Sequence, residues 1–395
     1  MKRLNRIMLF VAMSAVLGLS GPAGAVEPIK LGAFFDLSGP AAAIGTPTKL
    51  VAQMVVDQIN KAGGINGRPL KLIIGDTEGN PTKAVMVAKK LIEVDKVVAL
   101  IGPTRTGTGM AVKMKLLQKA RVPTFMTVGG DPVIMEGKHG GKNFGSAKWV
   151  FKSPQRSSVA VKKILGFMEK RGIKRIAIAT CADGFGRDGK RWLAKLAPKF
   201  GIEVVAEESF QPTDKDMTAQ LAKIKATGPQ AIVCWTIGPA GAIFAKNIKQ
   251  LGITIPLYQC HGLPDPKYIE LAGAASEGNI MPSTKLMAAD QLPDSDPQKA
   301  VIRKFIHLYN DVYHYNRQFP INTHSGYAWD AIYMVANAMK KAGTDPAKLR
   351  DAIEQTKDYV GVSGIYTLSP KDHNGLGTDS MVIVQIRGGK WKLLE

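Results

Sequence analysis

The chain has 395 residues, 45% of them hydrophobic and 22% charged. That is ordinary globular make-up, not that of a disordered or fibrous chain, with enough length for two domains. Its formal net charge is +21, yet the basic residues are scattered over predicted helix faces, as at Lys89-Lys90, Lys162-Lys163 and Lys340-Lys341. With no basic tail and no aromatic–basic interleaving, the charge reads as a solvated surface, and nucleic acid is not an expected partner.

Lys2, Arg3 and Arg6 precede an apolar run over 7–19 and the small residues Ala23-Gly24-Ala25. This pattern predicts a cleavable signal peptide over 1–25, too short to span a bilayer, and a mature periplasmic chain from Val26. An apolar strand at Ile29–Phe35 stops at Asp36, turns through Ser38-Gly39-Pro40, and leads into a helix with the stripe Val51, Val55, Ile59, Ala62. Gly63-Gly64 suit its left-handed cap. Strands over 70–75, 97–101 and 124–127 then alternate with helices over 81–94 and 107–119. That order predicts a parallel sheet with helices on both faces.

A second unit follows Trp149-Val150-Phe151-Lys152. Ser153-Pro154 reads as an N-cap with proline at the first helical position, opening a helix to Arg171. Strands over 175–180, 203–208, 231–235 and 255–259 alternate with helices over 186–200, 216–226 and 240–251. The fold class is therefore α/β with two Rossmann-like lobes. In the tail, helices over 299–315, 324–342 and 346–357 precede short strands over 381–386 and 390–393, and such a tail is expected to pack back on both lobes. Three cysteines, Cys181, Cys234 and Cys260, each fall near a strand end and allow at most one disulfide; buried free thiols are the expectation, and a Cys234–Cys260 bridge is the alternative. Without a close Cys-x-x-Cys pair, and with His307 and His314 lacking a further ligand, no metal or other cofactor is expected.

Five segments in order carry a resemblance: LGAFFDLSGPAAAIG, INKAGGINGRPLKLIIGD, NPTKAVMVAKKLI, VVALIGPTRTGTG and HSGYAWDAIYMVANAMKKAG. Over nearly the whole mature chain the sequence resembles the periplasmic leucine/isoleucine/valine-binding proteins of branched-chain amino acid ABC transporters, type I periplasmic binding proteins. The resemblance implies two lobes joined by three crossover strands, near 149–152, 279–281 and 363–365. Lobe 1 would span 27–149 plus 281–362, and lobe 2 150–280 plus 363–395. It also implies a monomer that binds a small solute between its lobes and partners inner-membrane permease subunits.

The loop Gly102–Gly109 follows an apolar strand and opens a helix, so its free amides and hydroxyls suit a carboxylate. Thr104, Arg105 and Thr106 are its candidate ligand residues. No Gly-Lys-Ser/Thr follows, which excludes a phosphate loop. In the family a serine of this loop holds the solute carboxylate, and Thr106 falls at that position. Gly129, Gly130 and Asp131 follow the next strand, where relatives have a small-residue turn ending in threonine. Phe185 stands where a tyrosine often closes over the ligand. His261 takes the place of the acidic residue that pairs with the solute ammonium, and Ile44 replaces a large aromatic at the mouth. Trp235 either lines the cleft or belongs to the core. These departures leave two readings: a carboxylate solute without the usual α-ammonium, or an amino acid for which Asp131 supplies the counter-charge while His261 is structural. No Gly-x-Ser-x-Gly, His-Glu-x-x-His or dinucleotide glycine fingerprint is present, so an enzyme is not expected. The leading expectation is the solute-binding component of an importer; the alternative is a sensor of the same fold.

Overall fold

The computed structural model describes residues 26–39, 41–136 and 143–395. The expected signal peptide and Pro40 lie outside them. Strands β1 (Ile29–Phe35), β2 (Leu70–Asp76), β3 (Ala99–Ile101), β4 (Thr124–Met126) and β5 (Val150–Lys152) form one sheet, in the order β2-β1-β3-β4-β5 and all parallel. The apolar runs predicted as strands become its centre: β1, with partners on both sides, buries Ala33, Phe34 and Phe35 completely. Helices α1 (Ala42–Lys61), α2 (Pro81–Glu93) and α3 (Thr106–Val112) follow the first three strands, and a π-turn joins α3 to α4 (Gln118–Ala120). The start of α2 shows why sequence placed it well: the Asn80 side chain accepts from the amides of Thr82 and Lys83, and proline occupies the next position.

The second unit contributes α5 (Ser157–Lys170), β6 (Arg175–Cys181), α6 (Gly184–Leu196), β7 (Glu203–Phe210), α7 (Thr218–Ala226), β8 (Ala231–Trp235), α8 (Pro239–Gln250) and β9 (Leu257–Gln259). After α9 (Pro266–Ala272), strand β10 (Ile280–Thr284) joins the same sheet. The tail runs α10 (Lys299–His307), α11 (Tyr327–Ala342), α12 (Pro346–Glu354), the hairpin β11 (Tyr359–Val360) and β12 (Ile365–Tyr366), and then β13 (Met381–Arg387) and β14 (Lys390–Leu393). The second sheet is ordered β14-β13-β10-β9-β8-β6-β7; only β13 is antiparallel to its neighbours.

Two expectations are corrected. The helix expected from Ser153 begins at Ser157, because 153–156 is held extended: Ser153 donates its amide to Met126 O, and its own carbonyl accepts from the Tyr366 hydroxyl. The lobe boundaries also move. Strand β5 pairs in the first sheet, and residues 281–284 pair in the second. Tyr366, Leu368 and Leu376 pack into the core around β1, α1 and α11, so the chain crosses after Thr284 and again between Leu376 and Met381. The tail packs on both lobes as expected: its helices on the first, α11 against α1 and α12, and its final strands on the second. All three cysteines are free and buried, and the Cys260 thiol donates to Thr236 O at 2.9 Å.

Side-chain amides fasten the crossings together. Asn374 donates to the carbonyls of Lys152 (3.1 Å) and Pro154 (2.8 Å), and the Gln155 amide donates to Ser363 O. Asp330 on α11 anchors the same region, accepting from the amides of Val362 (2.7 Å) and Ser363 (2.8 Å). Buried backbone groups that leave a sheet need such partners.

Candidate functional site

The carboxyl ends of both sheets face one another, the position where open α/β sheets bind ligands. Between them lies a cavity of about 20 Å³, room for roughly one water. Thr104, Thr106, Thr127 and Gly129 come from beyond β3 and β4; Phe185, Ile237, His261 and Gly262 come from beyond β6, β8 and β9. Pro154 of a crossing, with His324 and Tyr327 at the start of α11, completes the lining. The lobes touch here. A Cβ on Gly129 would sit 2.7 Å from Phe185 Cε2 and 2.9 Å from His261 Nε2, so only glycine lets the second lobe's rings come this close.

The hydroxyls are committed in a definite sense. Thr104 Oγ1 accepts from Asp36 N at 3.0 Å, and Thr106 Oγ1 accepts from Gly130 N at 3.2 Å. Each keeps its own hydrogen to donate. Thr127 instead gives its hydrogen to Pro103 O at 2.7 Å. His261 is 2% exposed, and neither ring nitrogen has a hydrogen-bond partner. Burial drives its pKa down to about 3; the cation of Lys152 and the nearby His324 push the same way, against weak opposition from the Gln155 backbone. Burial likewise holds His324 down at about 4. The Lys152 ammonium is the cation that acts on His261, and no carboxylate lines the cavity among the described residues.

Of the residues singled out by sequence, Thr104, Thr106, Gly129, Phe185 and His261 meet around this cavity. The other five are near it in different roles. Arg105 reaches across to Asp183 at 3.5 Å, an ion pair between the lobes. Gly130 packs under Thr106. The expectation that Asp131 could take the solute ammonium is corrected: its carboxylate faces the start of α5, accepting from Ser158 N at 3.3 Å, while its amide donates to Asp188 of α6 at 2.8 Å. Trp235 is fully buried behind the site, its ring 5.7 Å from Phe185 and 5.5 Å from His261. Ile44 lines a neighbouring pocket of about 140 Å³ with Pro239, Leu263 and Leu271.

Sequence reasoning missed Thr127, Pro154, Ile237, Gly262, His324 and Tyr327 as site residues. Ile237 lies two residues past β8 and Gly262 three past β9, and stepping three residues past every strand end would have found both. His324 had no such signal, since it arrives from the turn before α11, 63 positions after His261 in the chain. Asp188 and Lys152 also escaped notice. The buried Lys152 ammonium donates to Gly129 O at 2.7 Å and Gln155 O at 3.1 Å, fixing the loop that Gly129 belongs to. Burial pushes the Lys152 pKa down and that of Asp188 up.

The periplasmic binding protein family model matches residues 28–390. The chain belongs to the periplasmic binding protein family. One relative, the leucine-, isoleucine-, valine-, threonine- and alanine-binding protein of Pseudomonas aeruginosa, is 27% identical over 370 residues, covering 89% of this chain and 88% of its own. Among solved structures, an extracellular ligand-binding receptor from Rhodopseudomonas palustris superposes with a TM-score of 0.83 at 26% identity, covering 93% of this chain and 100% of its own. A branched-chain amino acid transporter substrate-binding protein from Streptococcus pneumoniae, in complex with isoleucine, gives 0.78 at 25% identity, covering 93% and 99%. These relatives are binding proteins and not enzymes. Family membership fits the two-sheet architecture and a periplasmic setting.

Proposed function

We propose that this protein is the solute-binding component of an ABC importer, that its lobes close on a small carboxylate lacking an α-ammonium group, and that the closed form is what the permease reads. The observation that carries the solute class is the lining of the cavity: no acidic side chain faces it among the described residues, and the charge that acts on His261 is the Lys152 cation. An ammonium enclosed there would lose its water without gaining a counter-charge, whereas a carboxylate finds the two free hydroxyl hydrogens of Thr104 and Thr106. Hinge closure about the crossings at 153–156, after Thr284 and before Met381 supports the importer role, because a ligand shifts such an equilibrium only by binding the closed state better.

The test is a thermal-shift series on protein unfolded, stripped of ligand and refolded. Leucine is compared with 4-methylpentanoate, and phenylalanine with 3-phenylpropanoate. Ligand at a hundred times its dissociation constant adds about 2.7 kcal/mol, a clear rise in melting temperature. The acids are expected to stabilise the protein more than the matching amino acids; the reverse order refutes the solute class and returns the site to an amino acid.

A further inference from the structure

The hydrogen-bonding state of the two cavity histidines says what the solute carries in place of an ammonium, and this rests on the carboxylate reading above. His324 Nε2 lies 3.1 Å from Gly262 O. A carbonyl only accepts, so Nε2 bears the proton. Because enclosure keeps the ring neutral, Nδ1 is left as an unprotonated acceptor. Its tautomer is fixed by the loop it touches. Thr127 Oγ1, having given its hydrogen to Pro103, is likewise an acceptor. His261, neutral and without a partner on either nitrogen, offers one donor and one acceptor.

The cavity therefore holds two kinds of polar group. Thr104 and Thr106 are donors, and they suit a carboxylate. His324 Nδ1 and Thr127 Oγ1 are neutral acceptors, and a neutral acceptor with no carboxylate beside it in the lining suits a neutral O–H better than a cation. An acid with only hydrocarbon beyond its carboxylate leaves these acceptors and both nitrogens of His261 without partners, the costly side of hydrogen bonding in an enclosed site. Sites built to pair a substrate hydroxyl reject the analogue that lacks it.

We propose that the solute is a hydroxy acid, with a carboxylate at Thr104 and Thr106 and a neutral hydroxyl that donates to His324 Nδ1, which makes His324 the residue that sets specificity. The experiment is titration calorimetry at pH 7.5 on the refolded, ligand-free protein. Benzoate is compared with its 2-, 3- and 4-hydroxy derivatives, 4-methylpentanoate with 2-hydroxy-4-methylpentanoate, and leucine is included as the amino acid. At least one hydroxy acid is expected to bind about fivefold or more tightly than its own parent, the yield of one net hydrogen bond. His324→Phe, which keeps a ring but loses the acceptor, is expected to erase that ratio, whatever it does to the absolute affinity of the parent acid. His324→Gln, whose amide can donate to Gly262 O and still accept, is expected to retain it. It also keeps the test alive if the phenylalanine variant does not fold.

The proposal is overturned if no hydroxy acid exceeds its parent, or if His324→Phe weakens parent and hydroxy acid equally. In those cases binding of the parent acids leaves the carboxylate reading standing. If leucine alone binds, both readings fall together.

Discussion

Replacing Gly129 by alanine adds one methyl group at the seam between the lobes. Its Cβ would lie 2.7 Å from Phe185 Cε2 and 2.9 Å from His261 Nε2, well inside the roughly 3.5–4.0 Å optimum for such contacts. Both rings come from the second lobe, and both are confined: Phe185 is 5% exposed and packs on Trp235, and His261 is 2% exposed between them. Overpacking of this kind costs about 1–3 kcal/mol. The cost falls on the closed state alone, because separating the lobes removes the clash. Since solute affinity includes the free energy of closure, it should drop by about fivefold to 150-fold, tenfold for each 1.4 kcal/mol. The melting temperature of ligand-free protein, in which the lobes can part, should stay near wild type. Calorimetry with the tightest acid of the series gives the affinity, and thermal denaturation without ligand gives the control. An unchanged affinity would show that the rings yield freely and that Gly129 does not gate closure.

Two further perturbations separate contacts that share a residue or a pH range. Asp183 both caps α6, accepting from Gly186 N at 2.8 Å, and pairs across the cleft with Arg105. Asp183→Asn keeps a capping oxygen and should cost solute affinity only a few-fold, more at low salt, because the pair is partly exposed and worth about 1 kcal/mol or less. Asp183→Ala should in addition lower stability by about 1 kcal/mol in urea titrations; equal stability of the two variants would remove the capping role. For pH, the two directions oppose one another. His261 and His324 are held down at about 3 and 4 against 6.5, so the unfolded chain binds more protons over that range. Their contribution is full above 6.5 and is lost as pH falls toward 4. Asp330, pushed up to about 7 by burial against its ordinary 3.8, contributes most at low pH and loses that contribution as pH rises through 7. Urea denaturation at pH 5.0 and 7.5 should therefore show a smaller acid-induced loss in His261→Phe than in wild type. Identical differences would mean that His261 takes up its proton in the folded state as readily as in the unfolded one.

Local signals carried much of the fold. Strand β1 read correctly because a run of apolar residues ends at an aspartate. Helix α2 read correctly because Asn80-Pro81 is a cap followed by a proline, a signal confined to adjacent residues. Where the same kind of signal failed, at Ser153-Pro154, the reason is long-range: Met126 and Tyr366 claim the backbone of Ser153 and keep it extended. The resemblance put a crossing near 279–281; pairing with β9 on one side and β13 on the other carries strand β10 on to Thr284 before the chain crosses.

The same division holds at the site. The sequence determined that two α/β units place loops at strand ends, which with the family resemblance pointed to Thr104, Thr106, Gly129, Phe185 and His261, each a few residues past its strand. It could not determine where Asp131 points, since that turns on Asp188 and Ser158, residues from the other side of a crossing. Nor could it show that His261 is enclosed without an acid beside it, or that His324, far along the chain, lines the same cavity. Side-chain direction and charge neighbourhood are properties of the packed lobes. Strand periodicity is set by bonds along the chain, but the potential in a cleft is set by groups that only folding brings together.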